Sequence, residues 1–434
     1  MLHCSAALCF ALLHLPTPNE RMTPPRARPA RATQSAHRPA SHADDDCILV
    51  LQGGGALGAY QAGVFESLSK VYCEPTWVAG ISIGAINAAL IAGNAPDMRV
   101  ARLREFWELV SSAVQMPSSA PVSTRETLNE LSASQAAVFG VPGFFKPRFP
   151  AAPFQLRGTL EAISYYDTTP LLETLERLVD FDRINSGAMR LSVGAVNVRN
   201  GNFSYFDSSK QRIDARHIMA SGALPPGFAP VEIDGEYYWD GGLVSNTPLQ
   251  HVLDQPGKRR RVVFQVDLFA ALGTLPTTMS EVSEREKDIR FSSRTRMNTD
   301  VQLDMQVIAQ TAKRLMAKLP PSLRDDPDVK ALARLRSENA VDVVHLIYRR
   351  KHYESQSKDF EFSRLSMQEH WDAGRADMAC TLHDPRWIRH ERGQAGVHVF
   401  DLTSDAPVVQ ATAREHVKHT PPDNPTPPTR RQSP

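Results

Sequence analysis

Along this chain, short unbroken apolar runs alternate with longer segments whose apolar residues recur every three or four positions. Cys47–Gln52 (Cys-Ile-Leu-Val-Leu-Gln) is a run of strand length with no polar alternation, the pattern of a strand buried on both faces. Gly58–Lys70 then reads as a helix, Thr76–Ile81 as a second apolar strand and Ile83–Ala92 as a helix of small residues. Arg190–Val198 is a further strand, and Asn200-Gly201 is a hairpin signal leading into Phe203–Phe206. Asp234-Gly235 signals a second hairpin before Tyr237-Tyr238-Trp239, and Arg261–Leu268 is another buried strand. This alternation predicts an α/β fold: a three-layer sandwich around a mainly parallel central sheet.

The pattern changes after residue 280. Val301, Met305, Ile308, Ala312, Leu315 and Leu319 recur at three- or four-residue spacing, which predicts one long helix with an apolar stripe, its methionines serving as core filler. Val341–Tyr348 reads as a late strand, and Ser363–Leu382 as a helix with Trp371 and Met378 on its buried side. Pro16–Asp46 and the segment from about Ser404 to Pro434 are rich in Pro and lack apolar periodicity, so disorder is expected in both. The expected organisation is therefore a disordered arm over 1–46, a catalytic domain over 47–275, a mostly helical accessory region over 276–400 and a disordered tail over 401–434.

Composition narrows the partners. Charged residues make up 22% and hydrophobic ones 42% of the 434 positions, and the net charge is +1, which gives no reason to expect nucleic acid. No apolar stretch reaches the roughly 18 residues of a membrane-spanning helix. Met1–His14 is apolar but lacks the positive start and small-residue cleavage site of a signal peptide, so the favoured reading is a translated leader with Met22 as the alternative start. Cys4, Cys9, Cys47, Cys73 and Cys380 are scattered and odd in number, which suggests reduced thiols, no disulfide frame and no zinc site. Asp44-Asp45-Asp46 is a solvated run and not a calcium loop. No metal and no cofactor is expected, and the setting is cytoplasmic, with peripheral membrane contact and secretion both left open.

Candidate chemistry sits at the strand ends. Gly80-Ile81-Ser82-Ile83-Gly84 lies where a strand turns into a helix, the arrangement that presents a serine hydroxyl above a sheet as a nucleophile. Gly80 and Gly84 allow the backbones to crowd together there, and the amide of Ile83 opens the helix as a donor for an oxyanion. Gly53-Gly54-Gly55-Ala56-Leu57-Gly58 leaves the first strand and also opens a helix, so several amides can converge on one anionic point. Gly53, Gly55 and Gly58 also satisfy the dinucleotide pattern G-x-G-x-x-G. That alternative requires an acid ending the next strand; Glu74 lies before that strand, which ends in the serine turn instead. The third element is Asp240-Gly241-Gly242, a carboxylate just past a strand in a loop able to approach another backbone. Of the histidines in the folded part, His217 and His251 stand in no distinctive setting. His345 satisfies the order Ser, Asp, His but lies inside an apolar strand.

Together these three elements resemble the patatin-like phospholipase family of serine acyl hydrolases, over about residues 47–275, with a C-terminal extension like that of a bacterial subgroup. The resemblance implies a Ser–Asp dyad without histidine: Ser82 as nucleophile, Asp240 as base, and Gly53, Gly54 and Gly55 lining the oxyanion hole. It implies hydrolysis of a lipid or other acyl ester, of phospholipase A or lysophospholipase type, with neutral glycerides or hydroxyalkanoate oligomers as alternative substrates. Leu57 stands where many members carry Arg or Lys, which weakens the case for a phospholipid head group. Ala220–Pro226 resembles the family's approach to the aspartate and reads as a helix end followed by a rigid turn.

Phe139–Pro150 (Phe-Gly-Val-Pro-Gly-Phe-Phe-Lys-Pro-Arg-Phe-Pro) mixes aromatics, prolines and two cations without periodicity. Two readings stand: a lid or membrane-contact loop with Lys146 and Arg148 on anionic head groups, or a buried crossover.

Overall fold

The structure is a computed structural model that describes residues 45–410, apart from 72–73, 115–121, 256–258, 324–325, 333–339, 350, 352, 391–395 and 403–408. The expected N-terminal arm up to 44 lies outside the described residues.

Strand β1 (Asp46–Leu51) leads into α1 (Gly58–Val71), and β2 (Trp77–Gly80) into α2 (Ile83–Ala92). Helices α3 (Arg99–Val110) and α4 (Val122–Phe139) follow, and then the small ribbon of β3 (Lys146–Pro147) with β4 (Tyr166–Asp167). Helices α5 (Thr169–Leu178) and α6 (Phe181–Asn185) precede the hairpin of β5 (Arg190–Asn197) and β6 (Phe203–Asp207). Next come α7 (Ala215–Ser221), the hairpin of β7 (Val231–Ile233) and β8 (Glu236–Asp240), α8 (Leu249–Asp254) and β9 (Arg261–Asp267). The C-terminal region supplies α9 (Met279–Met316), α10 (Pro327–Leu332), β10 (Ala340–Ile347), α11 (Arg364–His383), α12 (Pro385–Ile388), β11 (Gly396–Asp401) and β12 (Val409–Gln410).

Ten strands form one sheet in the order β12-β11-β10-β9-β1-β2-β5-β8-β7, with β6 also on β5. From β11 to β5 every neighbouring pair is parallel, and the antiparallel pairs are confined to the two ends. Strand β1 shows why its sequence has no alternation. Cys47, Leu49 and Leu51 face one apolar cluster and Ile48 and Val50 the other, all buried. The first cluster lies under α1, α2, α3 and α11; the second is smaller and takes Leu249 and Val252 of α8.

Both hairpins form where the turn dipeptides place them. Gly201, Asp234 and Gly235 adopt positive φ of 70°, 51° and 80°, the backbone these turns require.

The region after residue 276 differs from the expectation first in its share of the sheet. It is mostly helical by residue, but β10 and β11 extend the central sheet in parallel beyond β9, so the sheet runs across the boundary expected at 275. Helix α11 packs along α1. A Cβ on Gly63 would stand 1.9 Å from the carbonyl oxygen of Trp371, and one on Gly374 2.0 Å from that of Tyr60, so each helix offers a glycine where the other's backbone touches it. Trp371 and Met378 are buried, as read from the sequence. The stripe on α9 is not a continuous core face: Ala312 is buried but Ile308 and Leu315 are exposed, and Val301 and Met305 fall among side chains outside the described set. At the expected tail, Asp401 still belongs to β11, and Val409–Gln410 pair with it as β12.

Candidate active site

Ser82 stands between β2 and α2 with φ 57° and ψ −126°, a left-handed backbone that a side chain-bearing residue adopts only when its surroundings enforce it. The enforcement is visible on both sides. A Cβ on Gly80 would lie 2.2 Å from the carbonyl oxygen of Gly84, and one on Gly84 would lie 2.3 Å from that of Leu51 in β1. The amide of Ser82 donates to the carbonyl and the hydroxyl of Ser221 (3.2 and 3.1 Å), and that hydroxyl donates to the carbonyl of Gly194 (2.7 Å). Ser221 ends α7, so the segment read as a helix end also holds the turn beneath Ser82.

Asp240 ends β8 and is fully buried. Its amide donates to the carbonyl of Ala223 (3.0 Å), and its Oδ1 accepts the amide of Gly242 (2.7 Å). Burial pushes this carboxyl up to about 7; the Gly242 amide and the nearby Ser82 side chain oppose the shift but do not cancel it. Ser82 and Asp240, some 160 positions apart in sequence, thus meet because β5 lies between β2 and β8 in the sheet.

The glycine loop divides into two roles. Gly53, Gly54 and Gly55 line a cavity with Ser82 and Ile83, Gly54 and Gly55 being half-exposed. Gly53 and Gly58, both expected in the oxyanion hole, have their amides engaged elsewhere: Gly53 donates to the carbonyl of Asn246 (3.2 Å), and Gly58 closes a 3-10 turn onto Gly55. Gly58 instead packs beside Ile83 and Trp107. Asn246 was not legible as a site residue. Its Nδ2 returns a bond to the carbonyl of Gly53 (3.0 Å), tying the glycine loop to the segment that follows Asp240-Gly241-Gly242. A second tie comes from the C-terminal region, where the carbonyl of Asp359 accepts the amide of Ala56 (2.7 Å).

The cavity measures about 330 Å³. Its walls are largely aromatic: Phe144, Phe145, Tyr166 and Phe228 from the catalytic part, and Phe360 and Phe362 from the C-terminal region. Among the described residues that line it, Asp240 and Asp359 are the only carboxylates and there is no Lys or Arg. Phe144 and Phe145 are buried and pack edge-on or tilted against Phe228, Tyr166 and Phe362. The membrane-contact reading of these two side chains is therefore corrected: they wall the cavity. Phe139 and Phe149 at either end of the same segment are exposed.

Histidine has local duties instead. His217 closes a capping box on α7 with Asp214, His251 stacks on Tyr205 and reaches Asp207, and His345 lies in β10; none lines the cavity. Glu74 pairs with Arg99 at 2.8 Å and lies before β2, so the acid that a dinucleotide site needs at the end of the second strand is not supplied by it.

A family model described as patatin-like phospholipase matches residues 49–253, and a second described as patatin phospholipase matches residues 289–394. A cGAMP-activated phospholipase of Vibrio cholerae serotype O1 is 26% identical over 215 residues, which are 46% of this chain and 55% of that protein, so the chain spans about half the length of this curated relative. Among solved structures, VipD from Legionella pneumophila superposes with a TM-score of 0.32 at 14% identity, over 77% of this chain and 66% of its own. The ExoU–SpcU complex from the type III secretion system of Pseudomonas aeruginosa gives 0.25 at 17% identity, over 67% of each chain. No helix among the described residues is long and apolar enough to cross a membrane. With the glycine loop, serine turn and Asp-Gly-Gly segment gathered at one cavity and two patatin phospholipase models matching residues 49–253 and 289–394, the chain belongs to the patatin-like phospholipase family.

Proposed function

We propose that the protein is a serine-dependent acyl ester hydrolase in which Ser82 is the nucleophile and Asp240 its base. The observation that carries this reading is that a serine in an enforced left-handed turn and a buried carboxylate whose proton affinity it modulates line the same apolar cavity. A carboxylate whose proton affinity is raised into the neutral range can accept the Ser82 proton as Oγ adds to the ester carbonyl. The amides of Gly54, Gly55 and Ile83 would receive the developing oxyanion, a task worth about 3 kcal/mol per donor. Collapse breaks the ester C–O bond, and the Asp240 proton passes to the departing alkoxide. Water then attacks the acyl-serine carbonyl, giving its proton to Asp240, and the acid leaves as Ser82 takes the proton back.

The substrate class follows from the walls. Aromatic side chains and an absence of cations among the described lining residues suit an uncharged acyl chain, with a head group of either kind left outside. Long-chain lipid esters are therefore the proposed substrates. Among head groups, neutral glycerides and hydroxyalkanoate oligomers remain alongside phospholipids and lysophospholipids, in keeping with buried Leu57 where a cation would help hold phosphate.

Access is proposed from a lipid surface. Exposed Phe149, Phe154, Leu156, Ile163 and Tyr165 occupy one segment, with Phe149 98% and Phe154 82% exposed. That segment is tied to the mouth: the amide of Tyr165 donates to the carbonyl of Pro226, and Pro226 and Tyr166 line the cavity. Apolar and aromatic side chains beside an acyl-chain cavity suit the interface of a bilayer. A lipid panel with product mass analysis, run on the protein and on Ser82→Ala, tests the proposal. Serine-dependent release of fatty or hydroxy acids is expected; no release from any ester overturns it.

A further inference from the structure

At the far edge of the sheet, three side chains of metal-ligand type converge away from the cavity. Asp342 on β10 and His398 on β11 are direct register partners, and His390 approaches from the connection after α12. Asp342 also stands level with Val262 of β9, which in turn pairs with Cys47 of β1, so the cluster lies at the N-terminal ends of the parallel strands. Ser82 lies beyond their C-terminal ends.

One oxygen of Asp342, Oδ1, faces both imidazoles: His390 Nε2 at 3.1 Å and His398 Nδ1 at 3.2 Å. The three candidate ligand atoms lie within 4.8 Å of one another. The other oxygen, Oδ2, is held by Arg260, which also pairs with Asp45 at 3.6 Å. Asp342 and His398 are buried and His390 is half-buried.

Two features exceed what a structural ion pair needs. Oδ2 of Asp342 already accepts from Arg260, yet two imidazoles still converge on the other oxygen. Both nitrogen–oxygen spacings are also compatible with a coordination shell. Tetrahedral zinc with bonds of about 2.0–2.1 Å sets neighbouring ligand atoms about 3.3 Å apart, close to both nitrogen–oxygen distances here. Arg260 would act as the outer partner that fixes the ligating carboxylate.

We propose that Asp342, His390 and His398 form a binding site for a divalent transition metal of the zinc class. Two imidazole nitrogens and one carboxylate oxygen favour Zn²⁺, Co²⁺ or Ni²⁺ over Ca²⁺ and Mg²⁺, which take oxygen shells. Binding replaces two N–H donors at Oδ1 with one cation, and a water would supply the fourth ligand. The cation would pin β11 and His390 to β10.

The test uses the full chain without a polyhistidine tag, stripped with a chelator and titrated with Zn²⁺ by calorimetry and with Co²⁺ by visible absorption. One equivalent of saturable binding and the intense absorption of four-coordinate Co²⁺ are expected. His390→Ala, at a half-buried loop position, should keep the fold and weaken binding at least about 10-fold; His398→Gln should act in the same direction. Ca²⁺ should not compete. Absence of saturable Zn²⁺ binding by the folded protein, or binding unchanged by His390→Ala, would show a hydrogen-bond network only and overturn the proposal. Hydrolysis at Ser82 plays no part in either readout.

Discussion

Replacing Asp240 with Asn should make the protein more stable and nearly inactive, and the stability gain should depend on pH. Asp240 is fully buried, and its carboxyl is raised from 3.8 to about 7 by that burial. A gap of about 3 units, at about 1.4 kcal/mol each, corresponds to about 4 kcal/mol of cost for holding the charged form in the fold. For an acid raised on folding, the native state binds more protons than the unfolded chain between the two values. The stability contribution is therefore intact below about pH 4, declines as pH rises, and is fully lost above about pH 7. Asn has the same shape and keeps an oxygen for the Gly242 amide but carries no charge to desolvate. Urea unfolding followed by tryptophan fluorescence should show Asp240→Asn within about 1 kcal/mol of the parent at pH 4.5 and about 2–4 kcal/mol more stable at pH 8. Its turnover should fall about 10²–10⁴-fold, the usual worth of a general base, while the parent's kcat/KM should rise through about pH 7. An Asp240→Asn protein equally destabilised at both pH values, or one retaining substantial turnover, would refute the reasoning.

Three further outcomes follow from the same geometry. Gly84→Ala should destabilise the fold by about 3 kcal/mol or more in the same unfolding assay, because its Cβ would meet the Leu51 carbonyl at 2.3 Å. Asn246→Ala should lower kcat about 10-fold with little change in KM for a soluble ester, since it leaves the Gly53 carbonyl without its 3.0 Å side-chain donor, a loss of about 1–3 kcal/mol. Replacing Phe149, Phe154 and Leu156 together by Ser should reduce co-sedimentation with liposomes and hydrolysis of lipid in bilayers, yet spare a soluble short-chain ester; equal loss of both activities would place these residues in the fold and not at an interface.

What could be read from the sequence was whatever depends on local pattern. The both-faces strand β1, the serine turn, the two hairpin dipeptides and helix α11 all appear within a residue or two of their expected bounds, because periodicity and turn chemistry are properties of neighbours in sequence. What escaped depends on who meets whom. Val341–Tyr348 was legible as a strand, but nothing local says that it joins β9 and carries the sheet into the C-terminal region. Phe144 and Phe145 read equally well as surface or core until Phe228 and Phe362 are seen packed against them. Asn246, Ser221 and Asp359 support the site through plain hydrogen bonds, and a lone polar residue announces no such role. Asp342 and His398 are 56 positions apart and are gathered by strand register, with His390 brought in from beyond α12, so spacing could not mark them.

The most direct measurement is active-site titration with a fluorophosphonate probe, read by intact mass and peptide mapping. One adduct per chain on Ser82, lost in Ser82→Ala and strongly slowed in Asp240→Asn, is the expected result. A folded protein that takes up no probe, or labelling on any residue other than Ser82, would contradict the account.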